Sequence, residues 1–508
     1  MLSDTGRTDS LWMVTLPPRI PAPLRQDVRT EVCVIGAGIA GISTGYLLAK
    51  AGKRVVVLED GAIGGGETGR TTAHLSNALD DGYRVLERVH GAGGARLAAA
   101  SHAAAIDQIE SIVQNEAIDC AFERVDGYLF VPPGESADLL HTELEAARRA
   151  GVAGVELVQR APGLSFDTGP CLRFPRLAQF HPLSYLSALA GALERMGGIV
   201  YGKTHVSGVE PGPPARITTD GNHAVTADFV VCATNTPVID WLIIHSKQAA
   251  YRTFVIGTRI TGSIPVALYW DTADPYHYVR QADGVLIVGG EDHKTGQADD
   301  GAERLARLEA WTRERFPVGP VEFKWSGQVM EPVDGLAYIG RNPGDKGHVY
   351  VATGDSGHGM THGTIAGMLI TDLILGRPNE WERLYDPSRK SLKSTAEYAR
   401  ENLNVARQYT DLVTPGEVRS EAEIQPGHGA IVREGLKKFA VYRDEQATLH
   451  RASAVCPHLG CIVHWNSLEG SWDCPCHGSR FGTDGSVLNG PALGGLEVTS
   501  PSSSARAT

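Results

Sequence analysis

Two short segments near the C-terminus carry the side chains best suited to chemistry. Cys456-Pro-His458-Leu-Gly-Cys461 is followed by Trp472-Asp-Cys474-Pro-Cys476-His477-Gly-Ser479. The inner pattern is C-x-H, fifteen residues, then C-x-x-H. Two thiolates and two imidazoles on two loops suit one metal centre. A tetrahedral zinc ion takes such a set, and so does a two-iron cluster with two Cys on one iron and two His on the other. Cys461 and Cys476 are left over, one in each loop.

A second chemical signature lies near the N-terminus. Glu31-Val-Cys-Val-Ile-Gly36-Ala-Gly38-Ile39-Ala40-Gly41 is an apolar strand entering G-x-G-x-x-G, and Arg54-Val-Val-Val-Leu-Glu59 is a second buried strand ending in an acid. Gly36 permits the tight turn, Gly38 lets a pyrophosphate approach the backbone, and Gly41 lets helix and strand pack closely. The helix N-terminus offers free N–H groups to phosphate, and Glu59 is placed for a ribose hydroxyl. The motif alone leaves FAD and NAD both open. Thr68-Gly-Arg70-Thr71-Thr72-Ala-His74 follows a glycine run at 64–66. A second strand–glycine loop–helix unit spans 349–375 and includes Gly357, His358, Gly359, Met360 and Thr361.

These segments need scaffolds, and a chain of 508 residues is too long for a single core. Residues 1–30, rich in proline and charge, read as an extended N-terminal arm. Residues 31–380 read as one oxidoreductase unit, with nucleotide-binding parts at about 31–80, 185–240 and 325–375 and substrate-sheet parts at about 81–184 and 241–324. Residues 381–414 read as a helical connector, with Leu392, Ala396, Ala399, Leu403, Ala406 and Tyr409 at helical spacing. Residues 415–498 read as a compact β domain, and 499–508 as a disordered tail. The net charge of −12 argues against nucleic acid or an anionic membrane as partner. With no signal pattern and no apolar run long enough to span a bilayer, the expected location is the cytoplasm. Cys33, Cys120, Cys171 and Cys232 are scattered and read as reduced core residues.

Residues 30–375 resemble the glycine/D-amino-acid oxidase family of flavoproteins. The likeness rests on the first glycine loop with Glu59, the Gly-Arg-Thr-Thr loop, Phe180-His-Pro-Leu, Asp334-Gly-Leu-Ala-Tyr-Ile-Gly and Gly357-His-Gly-Met-Thr. It implies an α/β, Rossmann-like FAD-binding domain with an antiparallel sheet over the flavin, and oxidation of a C–N bond in an amine or amino acid. It also implies FAD contacts from Gly36, Gly38, Ile39, Ala40, Gly41, Glu59, Arg70, Thr71, Thr72 and residues 357–361. Some relatives attach flavin covalently through Cys or His. His74 is nearby, but Arg70 stands where such a His would, so non-covalent FAD is expected.

The C-terminal loops resemble the Rieske family, including the later Leu488-Asn-Gly490-Pro491-Ala loop that would shield a cluster. By that likeness, Cys456 and Cys474 hold one iron of a [2Fe–2S] centre, and His458 and His477 hold the other and face the surface. The resemblance to cytochrome bc-type Rieske proteins also implies a Cys461–Cys476 disulfide. Rieske oxygenase domains generally lack that pair, which argues against an oxygenase. Over the whole chain, Trp325-Ser-Gly-Gln328, Glu291-Asp-His293-Lys-Thr-Gly296 and Trp465-Asn466 resemble a bacterial subgroup of the oxidase family that carries a C-terminal Rieske domain.

The expected function is a flavin-dependent amine or amino-acid dehydrogenase. It would pass electrons singly through the cluster to an external acceptor, leaving by the exposed imidazole edges. His358 is a candidate near the reacting carbon, Arg280 a candidate carboxylate clamp, and Tyr251 a further catalytic candidate. Arg252, His277 and Tyr278 lie in the same sheet region. Reverse electron flow from a reductase, or a non-enzymatic redox sensor, are the competing readings. Where bc-type Rieske proteins place a tyrosine that bonds a ligand sulfur, this chain has Phe481. Fewer hydrogen bonds to sulfur lower the potential. A redox titration is therefore expected to place this cluster below the bc-type proteins, and a midpoint at their level would contradict the reading.

Overall fold

The computed structural model of the chain describes residues 5–239, 244–344, 348–390 and 392–499. The apolar strand Val28–Ile35 lies at the centre of an eight-stranded sheet. It pairs in parallel with Val55–Leu58 on one side and Ala224–Cys232 on the other. Ile199–Tyr201 and Val349–Thr353 extend the parallel set, and Tyr338–Arg341 closes one edge antiparallel. The helices Ile39–Lys50 and Gly359–Ile374 pack against each other on one face. They come this close because Gly363 and Gly367 sit directly on Ile39, Ala40 and Ser43. Both helices therefore point their N-termini at the same edge of the sheet.

The second sheet has nine strands. In order they are Val318–Pro332, Gln248–Ile260, Val285–Lys294, His277–Ala282, Leu268–Asp271, Glu123–Phe130, Cys171–Gln179 and His74–Leu75, with Glu156–Val158 paired to Cys171–Gln179. All its ladders are antiparallel except that between Leu268–Asp271 and Glu123–Phe130. The sheet is thus mixed where the resemblance implied an antiparallel one. Val318–Pro332 runs through position 325, and His74–Leu75 belongs to this sheet although it falls within 31–80.

The C-terminal unit holds a three-stranded sheet, His428–Glu434, Lys437–Arg443 and Leu449–Ser453, and a four-stranded one, His464–Asn466, Ser471–Asp473, Arg480–Phe481 and Val487–Asn489. Trp465, Trp472 and Phe481 share its core with Cys456, Cys461, Cys474 and Cys476. The tail from 500 onward lies outside the described residues.

Two connecting segments differ from expectation. The N-terminal arm is not simply extended. Leu11–Thr15 is a short helix capped by Ser10, and Trp12 is buried with its indole N–H donating to the Thr71 carbonyl at 2.6 Å. In the connector helix Thr395–Gln408, Leu403 is 73% exposed while Glu401 is buried. The docked face is Glu401 and Val405 with the following Tyr409, so of the expected apolar stripe Tyr409 docks while Leu403 does not. Lys294 pairs with Glu401, Val405 and Tyr409 pack on the C-terminal core, and the Tyr409 hydroxyl donates to the Leu459 carbonyl at 2.7 Å. One face of this helix must satisfy two domains, so polar partners displace some of the leucine-type contacts.

A buried ionic seam joins the two large units. Glu469 has no side-chain exposure and lies 3.1 Å from the equally buried Arg70. Arg252 lies 3.8 Å from both Glu469 and Asp473, and Arg480 pairs with Asp473 at 3.1 Å. Ser326 donates to Glu469 and accepts from Arg252 at 2.6 Å. The N-terminal arm is stitched in as well. Thr8 donates to both oxygens of Glu469, and Arg480 donates to the Thr5 carbonyl at 2.5 Å. The phrases Trp325-Ser-Gly-Gln and Glu291…Gly296 sit on this seam. Gln328 donates to the Gly478 carbonyl at 3.0 Å, and a Cβ on Gly296 would lie 2.7 Å from the Asp473 carbonyl oxygen.

Burial would raise the Glu469 carboxyl, but Arg70, Arg252 and Arg480 outweigh it and hold it down at about 2. Its folded value is depressed, so its stabilisation is present above pH ~4.5 and is lost as pH falls toward 2. Glu469→Gln leaves Arg70 buried without its counter-charge, and breaking such a pair costs roughly 3–5 kcal/mol. Thermal unfolding of that variant at neutral pH is expected to show early release of the C-terminal domain. An unchanged transition would show that the seam does not hold the domains.

Candidate functional site

A cavity of about 590 Å³ runs from the first glycine loop, between the two sheets, to the C-terminal domain. Gly36, Gly38, Ile39, Ala40 and Glu59 line one end. Gly36 has φ +101°, and a Cβ there would lie 2.4 Å from the Ala233 carbonyl oxygen. Gly41 does not line the cavity. A Cβ on it would lie 1.9 Å from the Gly36 carbonyl oxygen, so its role is to let the helix sit on the turn. Glu59 accepts from the N–H groups of Ala37 and Gly61, which fixes its carboxylate at the cavity rim.

The other end lies between the second glycine loop and the nine-stranded sheet. Gly357, His358, Gly359 and Met360 line it from one side. Trp270, Tyr276, Tyr278 and Asp292 line it from the sheet. His358 Nε2 is 3.1 Å from the Asp80 N–H and 3.2 Å from Asp80 Oδ1. A neutral imidazole accepts from the first, and an imidazolium donates to the second. Burial opposes the charged ring, but Asp80 outweighs it and raises the His358 pKa. Behind it, His362 meets His102 at 3.2 Å, and His102 meets Thr361 at 2.8 Å. Burial drives both of these imidazoles toward the neutral form, His362 down to about 3.

Several expected site residues have other work. Arg70 borders the cavity, yet its guanidinium donates to Thr5, Thr8, the Ser326 carbonyl and Glu469. It is a structural tie of the seam, where the resemblance implied a flavin contact. Thr71 and Thr72 border the cavity, and their carbonyls accept from Trp12 and Arg280. Thr361 is buried behind the loop, with its hydroxyl on the His358 carbonyl. Arg280 is no carboxylate clamp. It is buried away from the cavity, donates to the carbonyls of Thr72, Ala73 and Phe180, and lies over the Trp12 ring. Tyr251 also lies off the cavity, beneath the Lys294 ammonium at 5.7 Å. The ladder between Gln248–Ile260 and Val285–Lys294 shifts register between Arg252 and Phe254. Arg252 belongs to the seam, and His277 pairs with Asp271 and stacks on Trp311. Of that group, only Tyr278 reaches the cavity. Asp80, Tyr276 and Asp292 were not singled out from sequence. Asp292 stood in plain view within the Glu291–Gly296 phrase.

In the C-terminal unit the two loops meet. Cys461 and Cys476 form a disulfide, as the bc-type resemblance implied. Cys456 and Cys474 are buried thiols outside any disulfide. The Cys456 N–H donates to the Cys461 carbonyl, and the Cys474 N–H to the Ser479 carbonyl, both at 2.8 Å. The His458 and His477 rings stand 5.0 Å apart. Grouping by proximity alone brings together the sulfurs of Cys461, Cys474 and Cys476. Two of those are spent in the disulfide, so the C-x-H/C-x-x-H set remains the chemically competent one. His477 Nδ1 is buried with no hydrogen-bond partner, as an imidazole nitrogen reserved for a metal would be. The imidazoles do not face open solvent as expected. His477 is buried, His458 is half-buried, and His245 of the first unit packs against both rings at 5.0 and 6.1 Å. The shielding loop then continues into the large cavity, which Leu488, Asn489, Gly490 and Ala492 help to line.

Residues 31–373 match the family described as DAO, FAD dependent oxidoreductase. The chain belongs to this family. Residues 414–500 match the Rieske [2Fe–2S] domain. Over 487 residues, 94% of each chain, the sequence is 32% identical to YhfW of Bacillus subtilis (strain 168), named as a Rieske 2Fe-2S iron-sulfur protein. It is 27% identical to gamma-glutamylputrescine oxidoreductase of Escherichia coli (strain K12), across 70% of this chain and 85% of that one. In fold it is similar to glycine oxidase from Geobacillus kaustophilus, with TM-score 0.60 and 18% identity over 72% of this chain and 99% of that one. The cofactors of this oxidoreductase are thus FAD and a [2Fe–2S] cluster. The cavity fits the first: Asn235, which lines it, has a buried side-chain N–H group with no partner. The Cys/His loops fit the second.

If Asp80 holds the His358 proton, Asp80→Asn removes the counter-charge and leaves burial unopposed. The His358 pKa should then fall by about one unit or more, so the imidazolium is lost at lower pH. Titration of the imidazole by NMR in the FAD-loaded protein checks this, and an unmoved pKa would exclude the pairing.

Proposed function

We propose that this DAO-family oxidoreductase oxidises a C–N bond of an amine or amino acid and hands the electrons singly, within one chain, to its Rieske centre and then to an external acceptor. The observation that carries this reading is the shared cavity. Residues that shield the cluster, Asn489 and Gly490, line the same space as the first glycine loop and His358. Bound there, FAD supplies two-electron acceptance of hydride from a substrate carbon, and the cluster supplies one-electron transfer. The residues proposed to hold FAD are Gly36, Gly38, Ile39, Ala40, Glu59 and residues 357–360. Those proposed to hold the cluster are Cys456, His458, Cys474 and His477.

The chain's own contribution is placement and exclusion. The seam keeps the cluster loops against the flavin domain, and His245 fills the gap beside both imidazoles. His358, held by Asp80, sets a proton at the substrate end of the cavity. The partly exposed edge of His458, next to the exposed Val455 and Pro457, is the proposed exit to the acceptor. Among the described residues, no helix is long and apolar enough to cross a membrane.

The test is anaerobic visible and EPR spectroscopy of the purified protein with a panel of amines and amino acids. The expected result is substrate-dependent flavin bleaching followed by a Rieske EPR signal. Bleaching by NADPH alone, with none from any C–N substrate, would overturn the direction of flow proposed here.

A further inference from the structure

The substrate end of the cavity carries an unusual balance of charge. Among the described residues that line the whole cavity, the only Arg and Lys are Arg70 and Lys203. Arg70 is committed to the seam, with Glu469 and the Thr8 hydroxyl among its acceptors. Lys203 lies at the far end, where its N–H donates to the Gly61 carbonyl two residues past Glu59. Arg280 and Arg252, on strands of the nine-stranded sheet, are buried in structural contacts. No Arg or Lys is therefore left to clamp a substrate carboxylate there, and the His358 imidazolium is already paired with Asp80.

Acids and aromatic faces stand there instead. Asp292 reaches the cavity from Val285–Lys294, and its Oδ1 is buried with no hydrogen-bond partner. Burial pushes this carboxyl up to about 7, and the neighbouring Asp80 adds to the rise. Asp355 is likewise raised to about 6, chiefly by burial. Off the cavity wall, Glu331 accepts from Ser356 at 2.9 Å and sits well above its ordinary range, mainly through burial and then through Asp81. The sheet wall is built from Tyr276 and Tyr278, whose rings lie 5.4 Å apart, with Trp270 in register beside Tyr278. The Tyr278 hydroxyl is tied to Thr253 at 2.6 Å and that of Tyr276 to Asp80 at 3.1 Å, so both rings are held in place.

A carboxyl with one buried, unpartnered oxygen beside fixed aromatic faces is a site for a cation. An ammonium draws the carboxyl back to its charged form and donates a charge-assisted hydrogen bond to it. Ring faces attract the same cation through their quadrupoles. An α-carboxylate in that position would face Asp80 and Asp292 with only the His358 imidazolium, already paired with Asp80, to offset them, which is unfavourable. We infer that the substrate is an alkyl ammonium with no carboxylate on the reacting carbon, received by Asp292 and the Tyr276–Tyr278–Trp270 wall. This deepens the proposed C–N oxidation and rests on it for the identity of the reaction, but not for the binding.

The test is a binding titration of the FAD-loaded protein, read as a saturable perturbation of the visible flavin band under anaerobic conditions. The probes are n-butylamine, butyltrimethylammonium, butyrate and L-norvaline. Butyltrimethylammonium has no N–H and gives up no hydride readily, so it reports binding alone. The expected result is saturable binding of both cations and none of butyrate. L-Norvaline should bind at least about tenfold more weakly than n-butylamine. Asp292→Asn should weaken n-butylamine by about tenfold or more while the flavin spectrum of the free protein is retained. Comparison of the four probes on the unaltered protein stands even if that variant fails to fold. Preference for butyrate or norvaline over the amines, or equal n-butylamine affinity in Asp292→Asn, would overturn the inference. Cations that bind through Asp292 but never bleach the flavin would leave the site standing and remove the oxidation reading. Bleaching by norvaline without amine binding would do the reverse.

Discussion

The arrangement depends on one buried electrostatic contact, the seam of Glu469 and Asp473 with Arg70, Arg252 and Arg480. Three guanidinium groups and two carboxylates lie almost wholly out of water. Such a set is tolerable only when every charge has a partner and the remaining donors are bonded. The chain meets most of that demand from four distant places, the N-terminal arm, the loop at 67–72, the long antiparallel strands and the C-terminal domain, while Arg252 Nε and Nη2 stay buried without hydrogen-bond partners and are held by charge alone. Pulling the domains apart would expose or orphan these charges together, so the joint behaves as one unit rather than as a flexible tether.

The orientation of the C-terminal domain follows from that joint. Asp473 ends the strand Ser471–Asp473 that leads into Cys474 and Glu469 lies just before that strand, so docking them on Arg70 and Arg252 points the cluster loops inward. His477 is buried against His245, and Asn489 donates to Glu67 at 3.2 Å on the wall of the large cavity. The same contact that holds the domains thus sets the distance between the two redox sites. Beside these loops Val455 and Pro457 stay exposed and His458 half-buried. The connector helix reinforces this geometry, since Glu401 engages Lys294 while Tyr409 engages Leu459.

Local chemistry was legible in the sequence, and long-range chemistry was not. The Cys/His spacing and the glycine loop lie in short contiguous stretches whose backbone demands are written in the residues themselves. Gly36 and Gly357, both at positive φ, were readable for that reason. Arg280 and Tyr251 face away from the cavity because a strand residue's side is set by the sheet's pairing register, which no local stretch of sequence states. The pairing of Arg70 with Glu469 spans 399 positions, and nothing local to either residue announces it. The phrases around 291–296 and 325–328 were recognisable as a pattern, yet their purpose appears only when Gly296 and Gln328 meet residues 473–478. The connector showed helical spacing correctly but the wrong docked face. Its Glu401 is buried by an ion pair, which an apolar-periodicity argument does not count.

The central claim is that flavin and cluster exchange electrons inside one docked chain. The most direct measurement is the rate of cluster reduction after anaerobic flash reduction of the flavin, followed by the cluster's visible and EPR signals across a wide dilution series. The account predicts one first-order phase whose rate does not change with protein concentration. A rate that falls in proportion to dilution would mean that electrons travel between chains, and would contradict it.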